Sequence, residues 1–371
     1  MGEAMTMHQL NLGFNDDLDA LPDPTPPRTE PGDMWRLGDH RLVCGDVTDP
    51  RIVARVAGGE PCALVHADPP YGMGKDFAND NLHGSRLDAF QMKWWAACRP
   101  CLADNASAYI WGTSPDLWRL WYVGGLGDSE RLTMRNEIVW DKGSAGFGVG
   151  TESLRCYFPS EHCLFFMLGE QGFNTNAENY WEGFEPIRAY LAGECEKMKW
   201  GPKDIHRICG VGMYSHWFSK SQWVFIPKDH YMKLQKAANG EAFTDSHTSL
   251  GGALGSLDRT EYQVLKDEFY ATRAYFDNTH DNMTDVWQFD RVRGSERHGH
   301  DTPKPVEMMA RVIQSSAPTG AAVLVPFAGT FPEVIAAQIT GRRAFGVEVN
   351  PTHVDVAVGR WEKFTGEDGK R

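Results

Sequence analysis

Short apolar runs closed by turn residues recur in two parts of the chain. Arg41-Leu42-Val43-Cys44 ends at Gly45-Asp46, and Cys62-Ala63-Leu64-Val65-His66 ends at Ala67-Asp68-Pro69-Pro70. Ser107 to Trp111, Asn136 to Trp140 and His162 to Met167 follow, with Ala321 to Phe327 and Ala344 to Glu348 near the end. Such runs predict buried strands of a parallel sheet. Helical spacing fills the gaps. Asp88 to Cys101 gathers Phe90, Trp94, Trp95 and Cys98 on one side, and Thr302-Pro303-Lys304-Pro305 leads into a helix to about Ser315. Thr330 to Glu333 has the form of a capping box ahead of a helix ending near Thr340, and Pro351 starts a last helix. Strands alternating with helices predict an α/β fold, a doubly wound, mostly parallel sheet.

The pattern changes from about Gly169 to Phe289, where strand-like runs thin out and basic and aromatic residues increase. Pro186 opens a helix over Ile187 to Met198. Pro202 to Cys209, a turn at Gly210-Val211-Gly212, and Tyr214 to Gln222 make a helix-turn-helix outline, with Pro227 to Ala238 behind it. Asp258 to Phe276 reads as a charged amphipathic helix and Gly251-Gly252 as a loop. The start is acidic and proline-rich, and reads as a flexible tail. The predicted organisation is a tail over 1–33, a first α/β half over 34–170, an insertion over 171–289 and a second α/β half over 290–371.

Composition narrows the classes. At 371 residues the chain is long enough for one large domain with an insertion, and its 42% hydrophobic content is ordinary for a globular protein. Neither a membrane-spanning run nor a basic leader is visible, so a cytoplasmic protein with reduced thiols is expected. Among 8 cysteines, Cys98-Arg99-Pro100-Cys101 has metal-like spacing, but no second pair completes a zinc site, and no metal is expected. A net charge of −13 argues against a protein that coats nucleic acid indiscriminately. It leaves room for a local basic face, since eight lysines and arginines stand against two acids between Lys197 and Lys236.

The candidate chemistry sits where the strands end. A Pro-Pro step cannot continue a sheet ladder, so Asp68 and Tyr71 are held at the carboxyl end of a strand, the edge where open α/β sheets bind ligands. A plain turn would look the same, so partners must decide. Later, a strand, the Gly329 turn, a helix and a strand ending in Glu348 follow the order of a nucleotide-binding half.

Together, Asp68-Pro69-Pro70-Tyr71 early and Phe327-Ala328-Gly329 with Glu348 late resemble the two halves of an amino-group DNA methyltransferase of the β group, bacterial or phage. Trp35 to Asp46 is similar to the opening of many members, His300-Asp301-Thr302-Pro303-Lys304-Pro305 to their His-x-Thr-x-Lys-Pro motif, and Val354 to Trp361 to a common ending. The resemblance implies a Rossmann-like methyltransferase domain with a helical target-recognition insertion, and S-adenosylmethionine as cofactor near Asp46, His300, Thr302, Lys304, Phe327, Gly329, Glu348 and Asn350. It implies that Asp68 and the Pro69 carbonyl accept hydrogens of a base amine, with Pro70 and Tyr71 completing the motif and Tyr71 stacking on a flipped base. Double-stranded DNA is the implied partner, read by Ser215, His216, Lys220, Ser221 and Gln222, and a homodimer is compatible with the group. The implied setting is a bacterial cell or phage-infected host. Adenine N6 is the expected target. Cytosine N4 is the nearest alternative, and an inactive DNA-binding module the alternative of another class. Two departures weigh on the cofactor side: Val325 stands where the family has an acid, and Phe331 where it has a second glycine. Phe331 is expected to add bulk where the methionine end of the cofactor would lie, and Glu333 or another acid to supply the missing charge.

Overall fold

The computed structural model describes residues 18–19, 22, 26–72, 80–123, 127, 131–142, 160–170, 185–220, 223–224, 226–244, 272–277, 284–290, 292 and 304–371. The chain divides into two units, residues 1–169 with 273–371, and residues 170–272. The strands are β1 (Met34–Leu37), β2 (His40–Cys44), β3 (Cys62–Ala67), β4 (Leu102–Gly112), β5 (Thr133–Asp141), β6 (Glu161–Met167), β7 (Val286–Gln288), β8 (Ala322–Val325) and β9 (Arg343–Glu348). The helices are α1 (Pro50–Ala57), α2 (Ser85–Cys98), α3 (Ser114–Leu117), α4 (Glu185–Lys197), α5 (Pro202–Cys209), α6 (Tyr214–Phe218), α7 (Lys228–Ala238), α8 (Val306–Ser316), α9 (Pro332–Thr340) and α10 (Pro351–Thr365).

All nine strands form one sheet in the first unit, in the order β1-β2-β9-β8-β3-β4-β6-β5-β7. Its centre, β2 through β4, is parallel, and β6 runs antiparallel to β4 and β5. This is the doubly wound, mostly parallel sheet that the alternation of strands and helices predicts. Side chains alternate across it. Val43, Val65, Ala67, Ile110, Phe345 and Val347 share a core with Trp94, Trp95 and Trp121 on the side of α1 and α2. His66, Trp111 and Gly346 alternate with these residues and therefore turn to the side of α8 and α9.

Several details depart from the sequence reading. β1 and β7, with four and three residues, are too short to show a hydrophobic period. β7 also ties the segment after Thr272 to the sheet, inside the stretch assigned to the insertion. The run from Ala321 to Phe327 stops pairing at Val325, because Pro326 has no N–H to give the ladder. The capping box at Thr330 and Glu333 does not form. Pro332 is the first helical residue, so the cap position falls on Phe331, Thr330 lies one residue too early, and Glu333 turns inward.

The end of the acidic N-terminal segment is anchored on α10. Thr29 Oγ1 donates to Asp355 Oδ1 at 2.5 Å and Arg28 N to Asp355 Oδ2 at 2.8 Å, while the Arg28 guanidinium pairs with Glu362 at 2.8 and 2.9 Å. The indole N–H of Trp35 donates to Thr29 at 3.0 Å. Residues 26–33 thus act as a strap rather than a tail.

The second unit, described by itself, is a helical cluster whose core includes Ile187, Leu191, Ile205, Trp217, Phe218, Tyr231 and Phe243. Gly210 ends α5 with φ 80°, a left-handed cap that suits glycine. The helix expected over Tyr214 to Gln222 is shorter: α6 stops at Phe218, and Ser219 is extended with φ −109° and ψ 156°. Burial of Trp217 and Phe218 consumes most of that single turn. Of the helix expected over Asp258 to Phe276, residues 273–276 are not helical, and the stretch 258–271 lies outside the described residues, as does Gly251-Gly252.

Candidate active site

Four neighbouring parallel strands, β2, β9, β8 and β3, bring their carboxyl ends to one edge of the sheet. Asp46 follows β2, Glu348 closes β9, Phe327 and Gly329 follow β8, and Asp68 follows β3. Residues separated by some 300 positions thereby share one edge, the ligand-binding edge of open α/β sheets.

Asp68 is the centre of a polar cluster. Its Oδ1 accepts the Tyr71 hydroxyl at 2.5 Å, and its Oδ2 lies 2.5 Å from the Lys304 ammonium. Lys304 Nζ is also 3.3 Å from Glu161 Oε2, and Lys142 Nζ is 3.1 Å from Glu161 Oε1. Lys304 is 5% exposed, and its ammonium lies 4.6 Å from the centroid of the Trp111 ring. Burial pushes the Asp68 carboxyl up, but the Lys304 charge together with the hydrogen bonds from Lys304 and Tyr71 outweighs it and holds the group below its ordinary value. Conversely, burial lowers the Lys304 ammonium, while Asp68 and Glu161 raise it above its ordinary value. Burial, then the Asp68 charge, puts the Tyr71 hydroxyl well above its usual range, so it is a neutral phenol. Each carboxylate oxygen has two acceptor sites, so Asp68 keeps capacity for a further donor.

The turn after Asp68 is fixed from below. Gly72 adopts φ 72°, its N–H donates to the buried Asp80 at 2.8 Å, and a Cβ there would lie 2.2 Å from the Leu82 carbonyl oxygen. Pro69 is buried and Pro70 half-buried. Tyr71 and Trp111 line a cleft with Gln91, Thr113 and Asp116.

On the other side of the edge, Glu348 Oε2 accepts the Gly329 N–H and Oε1 the Asn350 N–H, each at 2.8 Å. Burial raises this carboxyl, but His353 and the two backbone donors outweigh it and keep it below its ordinary value. Asp46 accepts the Thr48 N–H and hydroxyl at 2.8 and 2.9 Å, and Asn350 caps α10 through the Thr352 N–H at 2.9 Å. Phe327 is half-buried, 5.4 Å from the Trp94 ring in an edge contact. Phe331 is fully buried, and a Cβ at Gly346 would lie 2.8 Å from its Cζ, so the ring is tucked under β9. Its backbone takes the left-handed φ of 54° that a glycine would adopt freely.

The structure brings Asp68 to Tyr71 together with Lys304, and Glu348 together with Gly329 and Asn350. Lys304, expected on the cofactor side, lies against the Asp68 acceptor. His300 and Thr302 lie outside the described residues, as do Ser221 and Gln222. In the second unit Ser215 is exposed and His216 half-buried, and Lys220 lies 3.6 Å from Glu185. Glu161, Lys142, His66 and Trp111 were not singled out from the sequence. The signal for His66 is its place in the run before Asp68, while Glu161 gives no signal beyond opening a strand. Among the described residues no cluster could hold a metal. Burial raises the thiols of Cys98 and Cys101 and pushes that of Cys62 up to about 12.

The N6/N4 family model, described as DNA methylase, matches residues 62–359. The type II methyltransferase M.ScaI of Streptomyces caespitosus is 36% identical over 87 residues, 22% of this chain and 29% of that protein. The DNA adenine methyltransferase YhdJ of Escherichia coli (strain K12) is 38% identical over 77 residues, 20% of this chain and 26% of that protein. The chain therefore spans less than a third of the length of either curated relative. The solved M1.HpyAVI–SAM complex has a TM-score of 0.47 and 11% identity, covering 86% of this chain and 97% of that one. The family match takes in the Asp68 motif, the Gly329 turn and Glu348, and by its extent the chain belongs to the N6/N4 DNA methylases.

Proposed function

We propose that this chain transfers a methyl group from S-adenosylmethionine to the N6 amine of an adenine rotated out of double-stranded DNA. The observation that carries the reading is the Asp68 carboxylate at the end of β3, held ionised by Lys304 beside the cleft at Tyr71. An exocyclic amine has its lone pair drawn into the ring. Asp68 and the Pro69 carbonyl would accept its hydrogens and return electron density to nitrogen, and Tyr71 would stack on the base. Asp68 can then take the proton that the methylated nitrogen sheds.

The residues at the cofactor edge fit the donor. Glu348, kept ionised at a strand end beside Gly329, would accept ribose hydroxyls, and Phe327 would offer the sulfonium an aromatic face. When bound, the donor supplies an electrophilic methyl group, and alignment does the rest. Sequencing of modified bases in DNA from cells expressing the protein tests the reading: N6-methyladenine in a fixed context supports it, and N4-methylcytosine would reassign the base. For the second unit, its basic excess supports contact with DNA phosphates.

A further inference from the structure

Among the described residues, a buried carboxylate beside His66 lacks a counter-charge. Glu333, the second residue of α9, is 4% exposed, with Oε1 2.9 Å from His66 Nδ1. The contact is close but poorly directed for a hydrogen bond, and Glu333 Oε2 is buried with no donor. His66 does not neutralise the acid. The indole N–H of Trp111 can only donate, and it meets His66 Nε2 at 2.8 Å. That nitrogen must therefore hold a lone pair, so the imidazole carries its one proton on Nδ1 and is neutral. An ionised Glu333 beside a neutral ring leaves one buried negative charge, which is costly without a cation.

A second acceptor stands close by in sequence. Thr330 Oγ1, on a residue 2% exposed, also has no partner. Thr330 lies on the turn that follows β8 and Glu333 in the first turn of the helix it leads into, where this topology binds its ligand. Val65 pairs with Leu324, and the residues that follow these two in the chain are His66 and Val325, the latter the position at which the family pattern has an acid.

We propose that Glu333 is the counter-charge for the α-ammonium at the methionine end of the methyl donor, with Thr330 Oγ1 as a second acceptor. The acid lost at Val325 has moved to the first turn of α9. This rests on the reading of the chain as a user of S-adenosylmethionine.

Two probes separate the amino-acid end from the rest of the ligand. S-adenosylhomocysteine carries the α-ammonium and no sulfonium, and 5′-methylthioadenosine carries the nucleoside and thioether alone. By calorimetric titration of the full chain, Glu333→Gln is expected to weaken S-adenosylhomocysteine about 10- to 100-fold, the range for one charged hydrogen bond, and to leave 5′-methylthioadenosine within about threefold. Glu333→Asp, which keeps the charge, is expected to recover part of the loss, and it stands in if the glutamine variant fails to fold. Equal losses for both probes would show a structural role and overturn the proposal. Unchanged S-adenosylhomocysteine binding would overturn it too, with the proposed function standing. Loss of S-adenosylmethionine binding well beyond that of S-adenosylhomocysteine would move the counter-charge to the sulfonium and overturn the assignment. A wild-type chain that binds none of the three overturns the proposed function as well.

Discussion

Asp68 and Lys304 act as one unit, and their titration sets the pH range of the site. The Asp68 value is lowered, so its contribution to stability is present above 3.8 and is lost as pH falls through the lower folded value. The Lys304 value is raised, so its contribution is present below 10.5 and is lost as pH rises through the higher one. Between these limits the pair is intact. Lys304→Met would leave a half-buried carboxylate without its cation, raising the Asp68 value and moving the acid limb of kcat/KM upward, which a pH–rate profile would read. An acid limb that stays in place would separate Lys304 from the acceptor. Gly346→Ala puts a methyl group 2.8 Å from Phe331 Cζ and 2.9 Å from Leu42 Cδ1, and is expected to cost about 1–3 kcal/mol in urea unfolding. Asp68 and Tyr71 were legible in the sequence because a Pro-Pro step marks a strand end. The role of Phe331 was not, because the space that admits its ring is made by a missing side chain on another strand.

Among the elements, strands buried on both faces were the easiest to read, since their apolar runs have no other explanation. β1 and β7 were hidden by their length. The loop before α9 was misread because the Thr330-to-Glu333 spacing fits a capping box one residue out of step with where Pro332 lets the helix begin. The N-terminal strap was hidden by its composition: proline and acid suggest disorder until Asp355 and Glu362 on α10 supply partners. Deleting residues 1–33 is expected to destabilise the first unit by roughly 3 kcal/mol, as charged hydrogen bonds to α10 are removed and Trp35 is uncovered, and denaturant unfolding would measure it. A truncated chain as stable as the full one would show that the strap contributes nothing net.

At the scale of the whole chain, the two α/β halves flank an insertion in sequence, and the sheet rejoins them so that one edge carries both Asp68 and Glu348. That order of motifs was legible; the insertion was less so, because a short helix in a basic segment does not say which side chains are packed. Trp217 and Phe218 took most of α6 into the core, leaving the exposed Lys199, Lys203 and Lys236 as better candidates for phosphate contact than Lys220, which has Glu185 beside it. Replacing those three lysines by alanine is expected to weaken DNA binding across sequences and to flatten its salt dependence by about one unit of slope for each phosphate no longer neutralised. Lys220→Ala should change it less. The central claim is tested most directly by transfer of a labelled methyl group from S-adenosylmethionine to unmethylated double-stranded DNA, followed by nucleoside analysis. The wild-type chain should place the label in N6-methyladenine and Asp68→Ala should not. No incorporation by the wild-type chain, or equal incorporation by the variant, would contradict the account.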